Sequence, residues 1–313
     1  MTAHDFLRLQ DFKKRPHFNF SASYNAKFGY NDKNTPNDSI TFQYPDISLL
    51  CEYYCEERFC NLSSSSNKLL ALNLNIQSLP AKFEKLLDFI DFFDRKNVKF
   101  DIICLQEIWQ IKKSELFNIP GYHPLIYKCR RNEVQGGGVG IYIRDNLSYN
   151  LREDLSIFYD KILESLVVDI CLPSKEIITS SIIYRSNGQH PTLSYSQQCN
   201  EFISLYDNLT SQLAQLRNKS LIFTDSNINI LDLNNDLVNE FLNINSTNGF
   251  IDFINYPTRL NGNNATLIDQ IFSNIDSNSI NSGILISDLS DHLPSFILIN
   301  GSNVKAKLSK ETT

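Results

Sequence analysis

Residues 69–79 read Leu-Leu-Ala-Leu-Asn-Leu-Asn-Ile-Gln-Ser-Leu, and this stretch decides how the rest of the chain is interpreted. It is an apolar run of the length of a buried β-strand. A strand of this kind normally ends in turn residues such as glycine or proline. Here the run ends in amides, with Asn75 at the boundary and Gln77 two residues later. The ending is therefore as informative as the strand.

Similar apolar segments recur along the chain from residue 68 onward. Their length and their content of Leu, Ile and Val are typical of strands buried in a sheet. They lie at 69–76, 100–108, 136–144, 165–172, 176–184, 220–228, 266–272 and 292–299. Amphipathic helices are predicted at 82–97 and 200–216, with a weaker one around Leu237–Leu242. The pattern predicts an α/β fold, a four-layer α/β sandwich in which two packed, mainly antiparallel or mixed β-sheets are flanked by helices.

The ends of the chain lack this regular pattern. Residues 1–67 are predicted to form an irregular, poorly ordered leader and linker, residues 68–301 the domain, and residues 302–313 a tail. Within the leader, Cys51, Cys55 and Cys60 are spaced closely enough to consider a zinc site. No fourth Cys or His follows at finger-like spacing, so a chance cluster is favoured.

Polar residues stand where the predicted strands end. Each alone has an ordinary explanation, because Asn and Asp favour turns. Ligands of α/β sheets, however, gather outside the carboxyl ends of strands, so the convergence of these residues predicts a functional site. They are Asn75, Glu107, Tyr184, Asp225, Asn227, Asp269 and the Ser290-Asp291-His292 triplet.

The order of these motifs, LNLNIQSL, CLQEIW, IIYRSN, TDSN, TLIDQIF and LSDHLP, resembles the endonuclease/exonuclease/phosphatase superfamily over about residues 68–300. Within it, the chain resembles the apurinic-like endonuclease domain of jockey-like LINE (non-LTR) retrotransposons. Three features carry this finer resemblance, namely Pro257-Thr258-Arg259, the glycine-rich segment 136–144, and Pro294 after the histidine.

The resemblance implies a role for each strand-end residue. Catalytic roles fall to His292, Asp225, Asn227, Tyr184, Asp269 and Asn75. The metal-binding residues would be Glu107, Asp291 and Gln77, and the substrate-binding residues Asn187, Arg130, Arg131 and Arg144. Oxygen ligands such as Glu107 suit Mg²⁺, with Mn²⁺ as a substitute. The carboxylate that holds His292 is either Asp291 or Asp269.

Two features depart from what the resemblance leads one to expect. The position of Gln77 often holds Asp or Asn in the family, and a neutral, longer Gln weakens the case for strong metal binding. The glycines at 136–138 lack the Gly-Lys-Ser/Thr ending of a phosphate loop, so they are interpreted as a tight turn leading into a strand. Around them, Lys128, Arg130, Arg131 and Arg144 form either a solvated basic loop or a strip that contacts the DNA backbone.

Charge and composition bound the function. Residues 1–69 are neutral, so the net charge of −6 belongs to residues 70–313. This acidity argues against extended nucleic-acid binding. It is compatible with a nuclease, whose metal-binding carboxylates are acidic and whose DNA track needs only a local basic strip. No apolar run reaches the roughly 20 residues of a membrane span. The N-terminus also lacks the order of a secretion signal.

The sequence thus predicts an intracellular, Mg²⁺-dependent endonuclease that nicks DNA for target-primed retrotransposition. By resemblance it is nuclear, and a reverse transcriptase encoded by the same element is a possible partner. Two alternatives remain open: a phosphatase of the same fold acting on an inositol phosphate or a sphingolipid, and a catalytically inert fragment of a retroelement.

Overall fold

A computed structural model describes residues 51–63, 68–130, 136–188, 190–261 and 264–301. Strands are numbered in chain order. One sheet has the spatial order β1 (Cys51–Tyr54), β15 (Ile280–Leu285), β16 (Ser295–Asn300), β2 (Lys68–Asn75), β3 (Ile102–Gln106), β5 (Val139–Ile143) and β4 (Ile126–Lys128). The other has the order β11 (Ile251–Asp252), β14 (Asp269–Ser273), β10 (Lys219–Asp225), β9 (Ile177–Tyr184), β8 (Leu163–Cys171) and β6 (Ser148–Leu151), with β7 (Phe158–Tyr159) also paired to β8.

The helices and a small hairpin complete the described part of the fold. The helices are α1 (Glu56–Ser63), α2 (Leu79–Arg95), α3 (Tyr195–Gln215) and α4 (Asp236–Thr247). Short 3₁₀ turns lie at Ser114–Phe117 and Ser277–Ser279, and β12 (Arg259–Asn261) pairs with β13 (Asn264–Thr266). The two sheets pack face to face, with β10 and β14 against β2. The predicted α/β sandwich of two mixed sheets flanked by helices is confirmed, and each of the eight predicted strand segments contains a strand.

Strand β2 shows why its sequence is apolar almost throughout. Leu69 and Ala71 face the core between the two sheets, whereas Leu70, Leu72 and Leu74 face a second core beneath α2. A strand with helices on one side and a sheet on the other has no solvent face, so the usual alternation of polar and apolar residues disappears. Asn73, a buried polar residue of this strand, hydrogen-bonds Ser295 and Gln106.

Helix α2 begins directly after the end of β2. The Ser78 hydroxyl accepts a hydrogen bond from the amide of Ala81, which caps the helix, and Pro80 occupies its first turn, where its missing N–H costs nothing. The helix therefore starts three residues before the predicted 82–97. The consequence for function is that the first turns of α2 lie next to the strand end that carries Asn75.

The prediction of an irregular leader over residues 1–67 is wrong for residues 51–63. Strand β1 pairs in parallel with β15, and Phe59 of α1 is fully buried against Phe93, Phe100 and Phe296. A four-residue strand followed by an eight-residue helix is too short to show a period in the sequence. The rest of the predicted leader, and the predicted tail over 302–313, lie outside the described residues.

The three cysteines of the predicted leader lie in different environments. Cys51 is buried in β1, where burial raises the pKa of its thiol to about 12, Cys55 is exposed, and Cys60 is half-buried in α1. Among the described residues, the group with the geometry of a metal site does not include these cysteines. None of the described helices is long and apolar enough to cross a membrane.

Candidate functional site

Three polar side chains stand in one row at the end of the second sheet. Strands β9 and β10 run parallel, and Tyr184 pairs in register with Asp225; β14 runs antiparallel to β10 and pairs Asp269 with Asp225. Each of the three residues is nearly inaccessible to solvent. The sheet register thus places side chains that are up to 85 residues apart in sequence next to one another.

Asn75 connects this row to the first sheet. Its Nδ2 donates to Asp225 Oδ2 at 2.7 Å and to Glu107 Oε1 at 2.9 Å. Its Oδ1 accepts a hydrogen bond from the backbone amide of Gln77 at 3.0 Å. Since Asn75 is 1% exposed, these bonds satisfy an amide that would otherwise be costly to bury. One side chain therefore fixes two carboxylates that belong to different sheets.

Glu107 is the half-buried carboxylate of the site. Tyr184 donates its hydroxyl to Oε1 at 3.1 Å, and Trp109 donates its indole Nε1 to Oε2 at 3.3 Å. Glu107 and Trp109 have positive φ values of 49° and 61°, a conformation that side-chain-bearing residues rarely adopt. Backbone strain of this kind is concentrated at functional sites.

The glycine run supports this strained turn. The amides of Ile108 and Trp109 donate to the carbonyls of Gly138 and Gly137 at 3.4 and 2.9 Å. Gly136, Gly137 and Gly138 have φ of 85°, 70° and 84° and lead directly into β5, as predicted for a tight turn before a strand. A Cβ on Gly137 would lie 2.4 Å from Arg130, so glycine is required there by both space and conformation.

Asp269, not Asp291, is the carboxylate that holds His292. The Nδ1 of His292 lies 2.9 Å from both Oδ1 and Oδ2 of Asp269. Thr258 donates its hydroxyl to Asp269 Oδ2 at 2.6 Å. Burial would lower the pKa of His292, but Asp269, helped by Asp225 and Asp291, raises it to about 9. The imidazole is therefore a cation at neutral pH, with Nε2 as the ring nitrogen not engaged by Asp269.

Asp225 is a carboxylate whose proton affinity is increased. Burial and the neighbouring charge of Asp269 raise its pKa to about 7, although His292 and the amide of Asn75 pull in the opposite direction. Its Oδ1 accepts the backbone amide of Asn227 at 3.1 Å. The Asn227 side chain donates to the carbonyl of Arg185 at 2.7 Å, which ties together the loops that follow β9 and β10.

Asp291 and Gln77 lie beside the site, and each accepts a hydrogen bond from a basic side chain. Asp291 Oδ2 accepts hydrogen bonds from Arg259 Nε and Nη2 at 3.0 and 2.8 Å. Burial raises the pKa of Asp291, but His292, Arg259 and Lys82 outweigh it and lower the pKa overall. The side-chain oxygen of Gln77 accepts a hydrogen bond from Lys82 Nζ at 3.3 Å.

Two sets of residues have the chemistry of a metal site. Asp225, Asp269 and His292 have potential ligand atoms within 4.8 Å of one another. A cationic imidazole bonded through Nδ1 to Asp269, however, lacks the lone pair that a metal ligand needs. Glu107 is the better candidate, because its carboxylate is a hard oxygen ligand that is partly open to solvent. Gln77 and Asp291 lie beside the cluster next to Asn75 and His292. A cation would relieve the mutual repulsion of Glu107, Asp225 and Asp269.

The predicted basic strip is not formed as expected. Arg130 is 6% exposed, and its Nε lies 2.5 Å from Oε1 of the fully buried Glu164. Arg144 follows β5 at the end opposite to Glu107, because Gln106 pairs with Val139 and Ile102 with Ile143. Lys128 is paired with Glu153. The burial of Arg130 contradicts its interpretation as part of a solvated loop or a DNA contact, whereas the role of Arg144 in substrate binding stays a prediction.

Two predicted substrate contacts remain outside the assembled cluster. Arg131 lies outside the described residues. Asn187 is exposed on the loop after β9, three residues beyond Tyr184, so it is free to face a ligand at the rim. Its predicted role in substrate binding stays a prediction.

Sequence reasoning gave no role to four residues that the structure brings to the site. Thr258 and Arg259 hold Asp269 and Asp291, and Lys82 reaches Gln77. Arg185 is buried and donates to the carbonyls of Ser226 and Asn227. The Pro257-Thr258-Arg259 motif was a signal, since a Thr-Arg pair in a polar loop has the donors that two strand-end carboxylates need.

The fold and the arrangement of carboxylates, amides and imidazole are those of a metal-dependent phosphoesterase. The sequence model of the Endonuclease/Exonuclease/phosphatase family matches residues 72–292, and the chain belongs to this family. Its members are hydrolases of phosphodiester bonds that generally depend on a divalent metal. No match was found among curated protein sequences.

Solved structures show the same fold at low sequence identity. The endonuclease domain of TRAS1, a telomere-specific non-LTR retrotransposon, is similar with a TM-score of 0.56 at 14% identity, covering 75% of this chain and 99% of that chain. The 3′ phosphatase NExo from Neisseria, bound to a product DNA hairpin, gives 0.54 at 14% identity over 75% and 99%. Humanized TDP2 of D. rerio gives 0.53 at 14% identity over 75% and 100%.

Proposed function

We propose that this protein is a Mg²⁺-dependent endonuclease that nicks DNA, and that it serves target-primed retrotransposition of a LINE-type element. The observation that carries the proposal is the bridge made by Asn75, which holds Glu107 and Asp225 on either side of one amide while Asp269 holds His292 beside them. Hydrolysis of a phosphodiester needs an activated water, charge neutralisation on the phosphoryl oxygens and help for the leaving alkoxide.

Asp225 is the residue proposed to handle the water. Its carboxylate has a pKa of about 7, close to the working pH expected of a general base. In the proposed step, an Asp225 oxygen accepts a proton from water as the water oxygen bonds to phosphorus. The bond between phosphorus and O3′ then breaks, and the departing oxygen takes up a proton from solvent water. The product 3′-hydroxyl is the group that a reverse transcriptase extends.

His292 and Tyr184 are proposed to bind the phosphoryl oxygens. The cationic imidazole, held through Nδ1 by Asp269, directs its Nε2–H at a non-bridging oxygen that gains negative charge in the transition state. The Tyr184 hydroxyl, whose pKa is raised well above its ordinary value by burial and by Glu107 and Asp225, stays protonated and can donate. A Mg²⁺ bound at Glu107, with Mn²⁺ as its substitute, would neutralise charge on the phosphoryl oxygens and on the leaving alkoxide.

Two considerations favour DNA over a small phosphoester. The motifs Pro257-Thr258-Arg259 and 136–144 resemble those of the LINE branch, and the NExo structure that shares the fold contains a DNA product. A nuclear location and a partner reverse transcriptase follow from the same resemblance. Because Arg130 is buried, the basic strip no longer supports a polymeric substrate. The two alternatives, a phosphatase acting on inositol phosphate or sphingolipid and an inert fragment, are therefore tested directly.

The test is incubation of the protein with supercoiled plasmid in Mg²⁺, in Mn²⁺ and in EDTA, beside inositol phosphate and sphingolipid substrates. We expect relaxed circles in Mg²⁺ and none in EDTA. Asp225→Ala should lose nicking while retaining DNA binding, because Asp225 acts on the attacking water. His292→Ala should also lose nicking, because the transition state loses its cationic donor. Faster release of phosphate from a small substrate would favour the phosphatase, and inactivity toward every substrate would favour the inert fragment.

A further inference from the structure

Lys82 is a cation at the mouth of the candidate site that the chemistry above does not use. It is the fourth residue of α2, whose first turn follows directly on the strand end that carries Asn75. Its ammonium lies 3.3 Å from Gln77 Oε1 and 3.3 Å from Ser290 Oγ. These two contacts join the turn after β2 to the Ser290-Asp291-His292 segment.

The electrostatic surroundings of Lys82 differ from those of an ordinary paired lysine. Lys128 and Lys219 form salt bridges with Glu153 and Glu176, whereas none of the described residues forms a salt bridge with Lys82. Its direct contacts are neutral oxygens. Burial lowers the pKa of its ammonium, and the charges of Asp291 and Glu107 act on it in the opposite direction. The ammonium is therefore positioned by neutral oxygens and lies within electrostatic range of Asp291 and Glu107.

The neutral side chain of Gln77 determines the charge balance around Lys82. A carboxylate at residue 77 would add a ligand for a cation and would pair with the Lys82 ammonium. The neutral amide does neither, because it orients Lys82 without cancelling its charge. The chain thus places a fixed positive charge where a second acidic ligand would otherwise strengthen metal binding.

We propose that Lys82 is a substrate-binding residue whose ammonium binds a non-bridging oxygen of the scissile phosphate, and that it does so at the expense of affinity for the divalent ion at Glu107. The proposal rests on the proposed function for the identity of the phosphate. Coulomb's law makes the two effects opposite in sign: a positive charge near Glu107 repels a divalent cation and attracts a phosphate. Removing the charge should therefore tighten metal binding and weaken DNA binding.

The metal effect can be measured without any reaction. Trp109 is the single tryptophan of the chain, and its indole Nε1 lies 3.3 Å from Glu107 Oε2. Its fluorescence should therefore be quenched by Mn²⁺ bound at Glu107. In Lys82→Gln the Mn²⁺ concentration at half-quenching should fall at least about threefold, as expected for loss of one nearby charge. Lys85→Gln, an exposed position on the same helix with the same charge change, is the control and should match the wild type.

The phosphate effect is measured by binding of a short DNA duplex in Ca²⁺ at several salt concentrations. Lys82→Gln should bind more weakly and lose about one unit of salt slope, the value for one phosphate contact. Lys82→Arg should retain both. Nicking by Lys82→Gln at saturating Mn²⁺ should fall by about tenfold to a hundredfold in kcat/KM, the range for loss of a charge-stabilising group.

The outcomes separate this proposal from the proposed function. Unchanged Mn²⁺ affinity and unchanged salt slope in Lys82→Gln, accompanied by a lower melting temperature, would make Lys82 a structural tie and overturn the assignment. A wild type that fails to cut plasmid while Lys82→Gln still tightens Mn²⁺ and weakens duplex binding would count against the endonuclease but support the role of Lys82. Plasmid nicking that Lys82→Gln leaves unchanged would support the endonuclease but overturn the assignment of Lys82.

Discussion

The imidazole of His292 and the carboxylate of Asp269 form a buried ion pair, with Nδ1 2.9 Å from each carboxylate oxygen. Both side chains are 3% exposed, so the pair is shielded from solvent and from salt. The Thr258 hydroxyl bonds the same carboxylate and fixes its plane. The relationship determines which ring nitrogen faces the opening, and it keeps the imidazole charged well above its ordinary pKa.

Asp269→Asn should reduce the nicking rate at least about a hundredfold, because the amide cannot stabilise the imidazolium that contacts the phosphate. In the wild type, nicking should decline as pH rises through about 9, where His292 loses its proton. In the variant that alkaline limb should move to lower pH, and a pH–rate profile measures it. Asp145→Asn, an exposed acid at the far end of β5, is the control. An unmoved limb would show that Asp269 does not set the charge of His292.

The same pair makes stability depend on pH. The pKa of His292 is raised on folding, so its contribution is fully present below about 6.5 and is lost as pH rises through about 9. The urea midpoint of the wild type should therefore fall between these pH values by more than that of Asp269→Asn. Parallel falls in the two proteins would contradict the assignment.

Glu107→Gln should abolish magnesium-dependent nicking while leaving the fold intact. A neutral amide cannot balance the charge of a divalent ion, but its oxygen can still accept the hydrogen bonds from Asn75 and Tyr184. The expected loss is at least about a hundredfold. Plasmid nicking measures activity, and Mn²⁺ quenching of Trp109 should disappear. Glu115→Gln in the exposed 3₁₀ turn is a suitable control, and near-full activity of Glu107→Gln would exclude Glu107 as the metal ligand.

Arg130→Ala should destabilise the protein rather than weaken its binding to DNA. The substitution leaves Glu164, which is 0% exposed, without its ionic partner, at a cost of about 3–5 kcal/mol. Glu164 also accepts the Gly138 amide at 2.6 Å, so the glycine turn that supports Glu107 should loosen. Urea unfolding measures the loss, with Lys128→Ala, from an exposed pair, as control. A stable variant with a reduced salt slope for DNA binding would restore the original prediction of a DNA contact.

Phe59→Ala should lower the free energy of unfolding by about 3–5 kcal/mol, the usual cost of removing a fully buried aromatic ring. Phe59 packs against Phe93, Phe100 and Phe296, whose centroids lie 4.7–5.9 Å away, so no neighbour can fill the space cheaply. Glu57→Ala on the exposed side of the same helix should change stability by less than about 0.5 kcal/mol. Equal stability of the two variants would return α1 to the status of a dispensable leader.

The parts of the fold that the sequence predicted are those with a local signal. Apolar runs of strand length and amphipathic helices are visible within about ten to twenty residues, and each such prediction is confirmed by a strand or helix. Strand β1 has no such signal, because its four residues gain their stability from β15, more than 220 residues later. Long-range partners of short segments cannot be recognised from one sequence.

The candidate site divides in the same way. Strand-end residues such as Asn75 and Asp225 could be selected because their positions follow from the strands. Arg130 was misinterpreted because a basic residue beside a polar loop normally faces solvent, and its partner Glu164 lies in a different strand 34 residues later. Lys82 was missed because its partners, Gln77 and Ser290, lie outside the predicted helix that contains it. In both cases a side chain's direction depended on geometry outside its own segment.

Because of the Asn75 bridge, the geometry of the candidate site depends on how the two sheets are aligned. Its amide nitrogen donates to Glu107, just after the end of β3 in one sheet, and to Asp225, at the end of β10 in the other, over hydrogen bonds of 2.9 and 2.7 Å. A slip of one sheet over the other by about an ångström would break at least one bond, although the apolar core between them would remain largely buried. Catalysis should therefore fail at lower urea concentrations than the loss of secondary structure, with sheet alignment as the more fragile property.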